Sequence, residues 1–499
     1  MAQNSALYFL SLGLPAITAL FLVPLTVRSL GPARFGLLAL AWAVAEGSGM
    51  FDFGLGRATV RFVADATEKG KERLREIVLA SVFFQTGAGA AAGVLLFLLA
   101  PLLVSRVFTV SPSVISEATA MFKVLAFHLP VLLAAAALRA ALEGAQRFDI
   151  SASLRMPGSM SAVAIPAIVS HWGYSLVLIM WALLAVRVVL VLISAMAVKR
   201  TLGLGRWGFP SSSAMLKEMF RYSGWVAIST AVGPLLGSLE RFIVGSVVGV
   251  AGLGFYTGAA EAANRFLLIP VTAFSALLPA LAATDATGAR SRALSLTRAA
   301  RRQLAALLFP LCLTLLAFAP AILRLWLGPV FSDTAGTALR ILSVGVFFGG
   351  LAHLPLALLY GSNRPDIPAK IHVVEVILYM PFAFFLVKTW GISGAAAAWS
   401  TRCAADLALY EATSRRVFGR CGFDGDERSR TLELSWTGLS LAAVFGTAFW
   451  LRHMSPMAGL AVAAFGLIIY AALGWRRVLS PTERSAWTTT LLRVRAPQS

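Results

Sequence analysis

Residues Ser29–Ala64 read SLGPARFGLLALAWAVAEGSGMFDFGLGRATVRFVA, and residues Val247–Ala282 follow the same pattern as VVGVAGLGFYTGAAEAANRFLLIPVTAFSALLPALA. Each copy is a glycine-containing turn that opens an apolar helix carrying a few charged residues. Without a gap, the copies agree at small residues, among them Gly31 with Gly249 and Gly36 with Gly254. Alanine is so common in this chain that its matches alone are weak, and a second observation is needed to establish a repeat.

Two further segments supply that observation, because they recur at nearly the same spacing. GAQRFDI at residues 144–150 returns as GSNRPDI at 361–367, and WGYS at 172–175 returns as WGIS at 390–393. Dissimilar segments that share one offset indicate a duplication, and internal repeats of this kind are typical of membrane transporters. We therefore predict two halves, residues 1–215 and 216–432, followed by an appended segment, residues 433–499.

The composition indicates a membrane protein. Of 499 residues, 58% are hydrophobic and 13% are charged, and the mean hydropathy is +0.79, which excludes a set of soluble domains. The net charge of +20 comes from basic residues spread between apolar segments. That distribution favours loops facing anionic lipid headgroups over a nucleic-acid site. The three cysteines have no metal or disulfide spacing, and we predict no metal and no cofactor.

Fourteen apolar segments are long enough, at roughly 20 residues each, to cross a bilayer. They lie at residues 6–27, 36–56, 77–100, 119–143, 153–170, 174–198, 222–246, 253–282, 304–323, 337–360, 369–387, 392–412, 435–451 and 457–475. Of the 43 Lys and Arg residues, 31 fall in the connecting segments of one side or at the span ends beside them, 7 in or beside those of the other side, and 5 deeper inside spans. Because cytoplasmic loops carry the basic excess, we predict that both termini are cytoplasmic.

These observations predict an all-α polytopic membrane protein with about 14 transmembrane helices, arranged as two six-helix lobes plus a C-terminal helix pair. An even number of spans in each half relates the lobes by an axis along the membrane normal. The connecting segments are too short for an extramembrane catalytic domain, and the phosphate-binding pattern GxxxxGK[ST] is absent from the sequence. We expect a transporter with no catalytic residues and not an enzyme.

Charged side chains inside or beside the spans define the candidate site, because they are costly in a bilayer and usually face a bundle interior or a water-filled cavity. Glu261 and Arg265 lie near mid-membrane, and their i, i+4 spacing puts them on one helix face. The candidate substrate and cavity residues are Arg265, Glu261, Glu46, Asp52, Arg57, Arg61, Glu240 and Arg241. Four of them have a purely structural alternative: a helix-locking ion pair for Glu261 with Arg265, and membrane anchoring for Arg57 and Arg61.

The segment LGPARFGLLALAWAV followed by FDFGLGRATVRFVA resembles the N-terminal signature of bacterial polysaccharide, or oligosaccharide, flippases of the MATE-like MOP superfamily. The matching positions are Leu30, Gly31, Pro32, Phe35, Gly36 and Leu37, followed by Asp52, Gly54, Gly56, Ala58 and Arg61. In the second half, Gly254, Phe255 and Tyr256, which lead to LLPALA, are similar to the eighth-helix region of that family.

This resemblance implies two lobes around a central cationic cavity lined by helices 1, 2, 7 and 8, working by alternating access. The implied cargo is an undecaprenyl-pyrophosphate-linked oligosaccharide, moved from the cytoplasmic to the outer leaflet of the bacterial inner membrane for cell-surface polysaccharide biosynthesis. Arginine forms bidentate hydrogen bonds with phosphate groups, so Arg265 is the leading candidate for the pyrophosphate. Implied partners are the lipid-linked oligosaccharide, the bilayer, H⁺ or Na⁺, and polysaccharide polymerase or assembly proteins.

Four alternatives stay open. A MATE-type cation-coupled multidrug exporter would need a cavity dominated by carboxylates. A lipid II flippase would share the fourteen helices, although the first span carries no charge before Arg28, unlike that branch of the superfamily. A membrane glycosyltransferase or polymerase would need clustered acidic or His residues beside a sizeable loop, whereas a scaffold protein would have no need of mid-membrane charges.

Overall fold

The computed structural model describes residues 2–66, 70–205, 207–209, 213–286, 290–362, 364–418, 425–451, 455–481 and 483–485. The described residues contain helices and no strands. The helices are α1 (Ala2–Gly47), α2 (Leu55–Ala66), α3 (Lys71–Leu102), α4 (Ile115–Gly144), α5 (Phe148–His171), α6 (Leu176–Leu202), α7 (Ser213–Val247), α8 (Val250–Asn264), α9 (Leu268–Ala286), α10 (Arg290–Trp326), α11 (Pro329–Gly361), α12 (Asp366–Phe418), α13 (Gly425–Leu451) and α14 (Pro456–Leu473). Residues 486–499, the last part of the predicted cytoplasmic tail, lie outside the described residues.

The helices confirm an all-α polytopic membrane protein. Among the described residues, 11 helical segments are long and apolar enough to cross a membrane. Two of them, Gly13–Asp52 with 40 residues and Asp366–Phe418 with 53, are far longer than a bilayer core of about 30 Å requires. Each contains a glycine with non-helical backbone angles, Gly31 in α1 and Gly391 in α12. Counting two crossings for each of these two helices gives thirteen spans. α7, which covers the seventh predicted span, brings the number to fourteen, so all the predicted spans lie on helices.

The backbone confirms the repeat at its turns. Gly31 and Gly249 have φ of 70° and 98°, and Gly173 and Gly391 have φ of 78° and 57°. Glycine is required at these positions because other residues rarely adopt positive φ. Both pairs are separated by the offset found in the sequence. The two turns that open the duplicated helices therefore share a glycine with positive φ, and the WGYS and WGIS turns do so as well.

The two copies of the duplicated segment also contact one another directly. A Cβ atom at Gly36 would overlap the carbonyl oxygen of Val250, and a Cβ atom at Gly254 would overlap the carbonyl oxygen of Pro32. Pro32 and Val250 are themselves equivalent positions of the repeat. The contact is therefore reciprocal, and each copy places the backbone of its turn against the helix of the other, at a distance that only glycine allows.

The described chain separates into two compact units. The first unit contains residues 1–261, 324–338 and 365–398, and its buried side chains include Leu55, Ile77, Leu138 and Val198, contributed by α2, α3, α4 and α6. The second unit contains residues 262–323, 339–364 and 399–499. Within it, α13 and α14 pack on α10 through an apolar cluster that includes Phe318, Phe445 and Tyr470. The boundaries of the two lobes and the appended pair stay a prediction.

The segment after the second predicted span contains a short helix, although its hydropathy predicts only a connection between two spans. A 3-10 turn over Ser48–Asp52 is followed by Phe53 and Gly54, both with positive φ, and α2 then begins at Leu55. One side of α2 is buried through Leu55, Ala58, Thr59, Val63 and Ala66, whereas Arg57 and Arg61 are exposed. This separation of apolar and charged faces is typical of a helix lying at a membrane surface.

Candidate functional site

Arg241 on α7 is the centre of the charged groups that the first unit brings together. It is nearly buried, and its Nη1 donates to Oε2 of Glu46 on α1 at 3.0 Å. The Arg241 side chain is 10% exposed, whereas the Glu46 side chain is 58% exposed. The ion pair thus joins a helix of the first half of the sequence to a helix of the second half, with the arginine inside and the carboxylate at an open surface.

Glu240, the neighbour of Arg241 on α7, is more deeply buried. Only 2% of Glu240 is exposed, and its Oε1 accepts a hydrogen bond from the hydroxyl of Tyr379 on α12. Because successive helical residues point about 100° apart, Glu240 and Arg241 reach different neighbours from adjacent positions. The two side chains therefore connect α7 to α1 on one side and to α12 on the other.

Further groups complete the environment of Arg241. The carboxylates of Glu46, Glu240 and Glu261 and the phenol of Tyr256 all interact electrostatically with its guanidinium. We call these residues, together with Tyr379, the Arg241 cluster. Three carboxylates therefore lie around one buried guanidinium.

Asp52, Arg57 and Arg61 lie apart from the cluster, around α2. Both carboxylate oxygens of Asp52 accept from the backbone N–H of Gly56, at 2.9 and 3.0 Å, so Asp52 caps the first turn of α2. Arg61 forms an exposed i, i+4 ion pair with Asp65 at 4.0 Å, a contact that stabilises little by itself. The candidate residues of the first unit are therefore divided between the Arg241 cluster and the region around α2.

Arg265 lies at a break in the eighth predicted span. α8 ends at Asn264, a 3-10 turn covers Arg265–Leu267, and α9 begins at Leu268. The structure keeps Val250–Ala283 as one candidate membrane span, in agreement with the span predicted over residues 253–282, and places a 3-10 turn within it at the charged residue. Arg265 is half-buried and belongs to the second unit, whereas Glu261 belongs to the first. The proposed neutralisation of Glu261 by Arg265 stays a prediction.

Sequence reasoning missed two members of the cluster and the pairing that organises it. Tyr256 and Tyr379 are single phenols in apolar helices, and nothing in their surroundings distinguishes them from packing residues. The pairing of Arg241 with Glu46 joins positions 195 residues apart. Hydropathy predicts the depth of a residue in a membrane but not its neighbour on another helix. A search for oppositely charged residues in spans of the two halves would have given Arg241 with Glu46 as one of several possible ion pairs.

Comparison with known proteins identifies the family. Residues 25–335 match the model of a family described as "Polysaccharide biosynthesis protein". The chain is 26% identical over 413 residues to a "Putative O-antigen transporter" of Shigella flexneri, a match that covers 82% of this chain and 96% of the relative. Because the family model spans more than half of the chain, the assignment does not depend on the structural comparison.

The fold is shared with solved transporters of the MOP superfamily. An inward-facing multidrug resistance MATE family transporter superposes with a TM-score of 0.69 at 17% identity, covering 83% of this chain and 94% of that chain. The lipid II flippase MurJ, in an inward closed conformation, superposes with a TM-score of 0.70 at 12% identity, covering 94% of this chain and 99% of that chain. The chain therefore belongs to the family described as "Polysaccharide biosynthesis protein", and it shares its fold with these membrane transporters.

Proposed function

We propose that this transporter moves an undecaprenyl-pyrophosphate-linked oligosaccharide from the cytoplasmic to the outer leaflet of the bacterial inner membrane by alternating access, with H⁺ or Na⁺ as the coupling ion. Membership of a polysaccharide biosynthesis family supports the class of cargo. The proposed orientation, with both termini in the cytoplasm, rests on the distribution of basic residues. In this orientation Arg57 and Arg61 lie at the inner surface, where an anionic headgroup arrives.

The Arg241 cluster is the observation that carries the mechanism. Glu46 of α1 and Arg241 of α7 hold helices from the two halves of the sequence together, and the exposed position of Glu46 allows a proton or Na⁺ to reach it. A cation on Glu46 removes its attraction for Arg241 and so weakens the link between α1 and α7. Binding of the coupling ion would in this way favour separation of the halves, and its release would restore the link.

Arg265 is the proposed ligand of the pyrophosphate, with Arg57 and Arg61 attracting the cargo at the inner surface. A guanidinium binds phosphate oxygens through two parallel hydrogen bonds, which suits a pyrophosphate better than a sugar. The 3-10 turn at Arg265–Leu267 supports a binding role, because a stretch of 3-10 helix within a longer helix often marks a functional hinge.

A cation-coupled exporter of small cationic drugs is the second candidate. The excess of carboxylates in the Arg241 cluster favours it, since a cation-binding cavity is expected to be acidic. The two functions differ in which charged group binds the cargo: Arg265 in the flippase and the carboxylates around Arg241 in the exporter. A lipid II flippase is the third candidate function. Its cargo differs from that of the proposed oligosaccharide flippase in the sugar portion.

The test is the accumulation of undecaprenyl-linked glycan in a strain that lacks this protein, with the two leaflets assayed separately. The flippase predicts build-up on the cytoplasmic side that re-expression relieves, and the accumulated glycan identifies the sugars. An unchanged leaflet distribution together with increased sensitivity to cationic drugs would support the exporter and refute the flippase.

A further inference from the structure

A cavity of about 260 Å³ lies between α4, α5 and α6, within the first unit and away from the Arg241 cluster. Apolar side chains such as Leu132, Leu154 and Leu190 form part of its wall. Three arginines, one from each helix, complete the lining: Arg139 on α4, Arg155 on α5 and Arg187 on α6. We call this cavity the arginine pocket. Neither the candidate site nor the proposed transport cycle uses it.

The arginine pocket carries an excess of positive charge. Arg139 and Arg155 repel one another electrostatically, and Glu143, one turn from Arg139, is the acidic group that offsets them. Glu143 in turn accepts a hydrogen bond from the hydroxyl of Ser151 at 2.9 Å. In the part of the chain that the structure describes, none of the three arginines lies within ion-pair distance of a carboxylate.

Arg187 is held in position by a neutral group. Its Nη1 donates to Nδ1 of His128 at 2.6 Å, and Nε2 of His128 contacts the carbonyl oxygen of Met180 at 3.0 Å. Because a guanidinium cannot accept a hydrogen bond, Nδ1 must be the acceptor, and the ring proton is on Nε2, which donates to Met180. His128 is therefore an uncharged imidazole that orients Arg187 without neutralising its charge.

Three cations with one nearby carboxylate are costly in a low-dielectric interior unless an anion joins them. We propose that the arginine pocket binds the anionic phosphate ester headgroup of a membrane lipid. Guanidinium groups form strong bidentate hydrogen bonds with phosphate oxygens, and basic pockets between transmembrane helices are suited to lipid headgroups. The apolar part of the wall accommodates the beginning of the lipid chain.

The depth of the arginines agrees with a lipid that enters from one leaflet. Arg155 is 7 residues after the start of α5, and Arg187 is 15 residues before the end of α6, so they lie roughly 10 and 22 Å from the predicted inner ends of their helices. The headgroup comes either from a resident acidic phospholipid or from the pyrophosphate of a lipid-linked cargo. A resident phospholipid is independent of the proposed transport function, whereas the cargo pyrophosphate rests on it.

The test is a thermal-unfolding titration of the purified full-length protein in neutral detergent, without transport. The probes are phosphatidylglycerol, undecaprenyl pyrophosphate and, as the lipid with a net neutral headgroup, phosphatidylcholine. We expect one of the anionic probes to raise the melting temperature more than phosphatidylcholine does. Response to phosphatidylglycerol identifies a resident phospholipid, and response to undecaprenyl pyrophosphate alone identifies the cargo headgroup.

The variants Arg155→Gln and Arg187→Lys test the residues. Arg155 is exposed, so its replacement leaves packing intact, and Arg187→Lys keeps the charge but loses the bidentate fork. Each should weaken the apparent affinity for the anionic probe by about tenfold. Arg200→Gln, an exposed arginine of α6 outside the pocket, should leave it unchanged. Equal affinities in wild type, Arg155→Gln and Arg187→Lys, or no preference for anionic probes over phosphatidylcholine, would overturn the proposal.

Discussion

Gly36 and Gly254 are equivalent residues of the repeat, and each packs against the backbone of the opposite copy. A side chain at Gly36 would overlap the carbonyl of Val250, and one at Gly254 would overlap the carbonyl of Pro32. The contact joins the predicted outer ends of helices from both halves of the sequence. In the proposed alternating-access cycle, these ends would have to separate when the transporter opens outwards.

Alanine at either glycine should disrupt this contact. Gly36→Ala and Gly254→Ala each force a Cβ atom into a carbonyl group, and overpacking of this kind costs about 1–3 kcal/mol. We expect a lower melting temperature of the purified protein and reduced complementation of a strain that lacks it. The matched control is Gly87→Ala in α3, where a Cβ atom meets no other atom within 4 Å. Wild-type melting of Gly36→Ala would contradict the packing.

Replacing Arg241 should be more damaging than replacing Glu46, although the two form one ion pair. Arg241→Gln removes a buried guanidinium whose electrostatic partners include the buried carboxylate of Glu240, and breaking a buried charged contact of this kind costs about 3 kcal/mol. Glu46 is largely exposed, so Glu46→Gln should cost about 1 kcal/mol or less. Unfolding measurements on both variants and on the double variant give the coupling energy. Equal losses from the two single variants would refute the asymmetry.

Arg265→Ala should impair transport more than Arg61→Ala at equal expression. Arg265 lies at a helix break inside a predicted span, whereas Arg61 lies on an exposed helix and pairs with Asp65. Complementation of the deletion strain measures the difference, with protein levels in the membrane as the control. Comparable complementation by both variants would remove Arg265 from its proposed role as pyrophosphate ligand.

The segment after α14 provides a pH-dependent contact outside the membrane. Glu483 bonds to Nη2 of Arg302 at 2.6 Å and to Nε2 of Gln303 at 2.9 Å, both on α10. Burial alone would raise the pKa of Glu483, but hydrogen bonds from Ser480 and Gln303 and the charge of Arg302 outweigh burial and hold that pKa below its usual range. The contact therefore stabilises fully above the unfolded-state pKa of about 4.3 and is lost as the pH falls through the lower folded-state pKa.

Glu483→Gln tests this contact. The melting temperature of the variant should be below that of wild type from pH 5 to neutrality, and the difference should shrink as acid protonates Glu483. Glu72→Gln, at an exposed position in the first turn of α3, should match wild type throughout. A difference that stays constant into acid would show that the carboxylate charge of Glu483 is not the source of the stabilisation.

The sequence was sufficient to predict the helices because spans require long apolar segments and because loop charges alternate across a membrane. It also predicted the repeat, which Gly31, Gly249, Gly173 and Gly391 confirm through their positive φ. Single residues that force a backbone conformation can be recognised from a sequence. Family recognition succeeded for the same reason, since its signature is rich in such turn residues.

The site was harder to predict, because it depends on which helices are neighbours. Glu46 and Arg241 lie in spans of different halves of the sequence, and their side chains meet at 3.0 Å. Tyr379 reaches Glu240 from a helix that shares no motif with α7. The cap formed by Asp52 was hidden because α2 was read as part of a loop. The roles of Glu46, Glu240, Arg241, Glu261 and Arg265 in transport stay predictions.

The most direct measurement is translocation of an undecaprenyl-pyrophosphate-linked oligosaccharide in proteoliposomes that contain only this protein. Glycan exposed on the far leaflet is detected with a membrane-impermeant lectin, with and without a proton or sodium gradient. We predict gradient-dependent exposure with wild type and strongly reduced exposure with Arg241→Gln, while Arg200→Gln matches wild type. Absence of glycan movement in vesicles that do transport a cationic dye would contradict the flippase function.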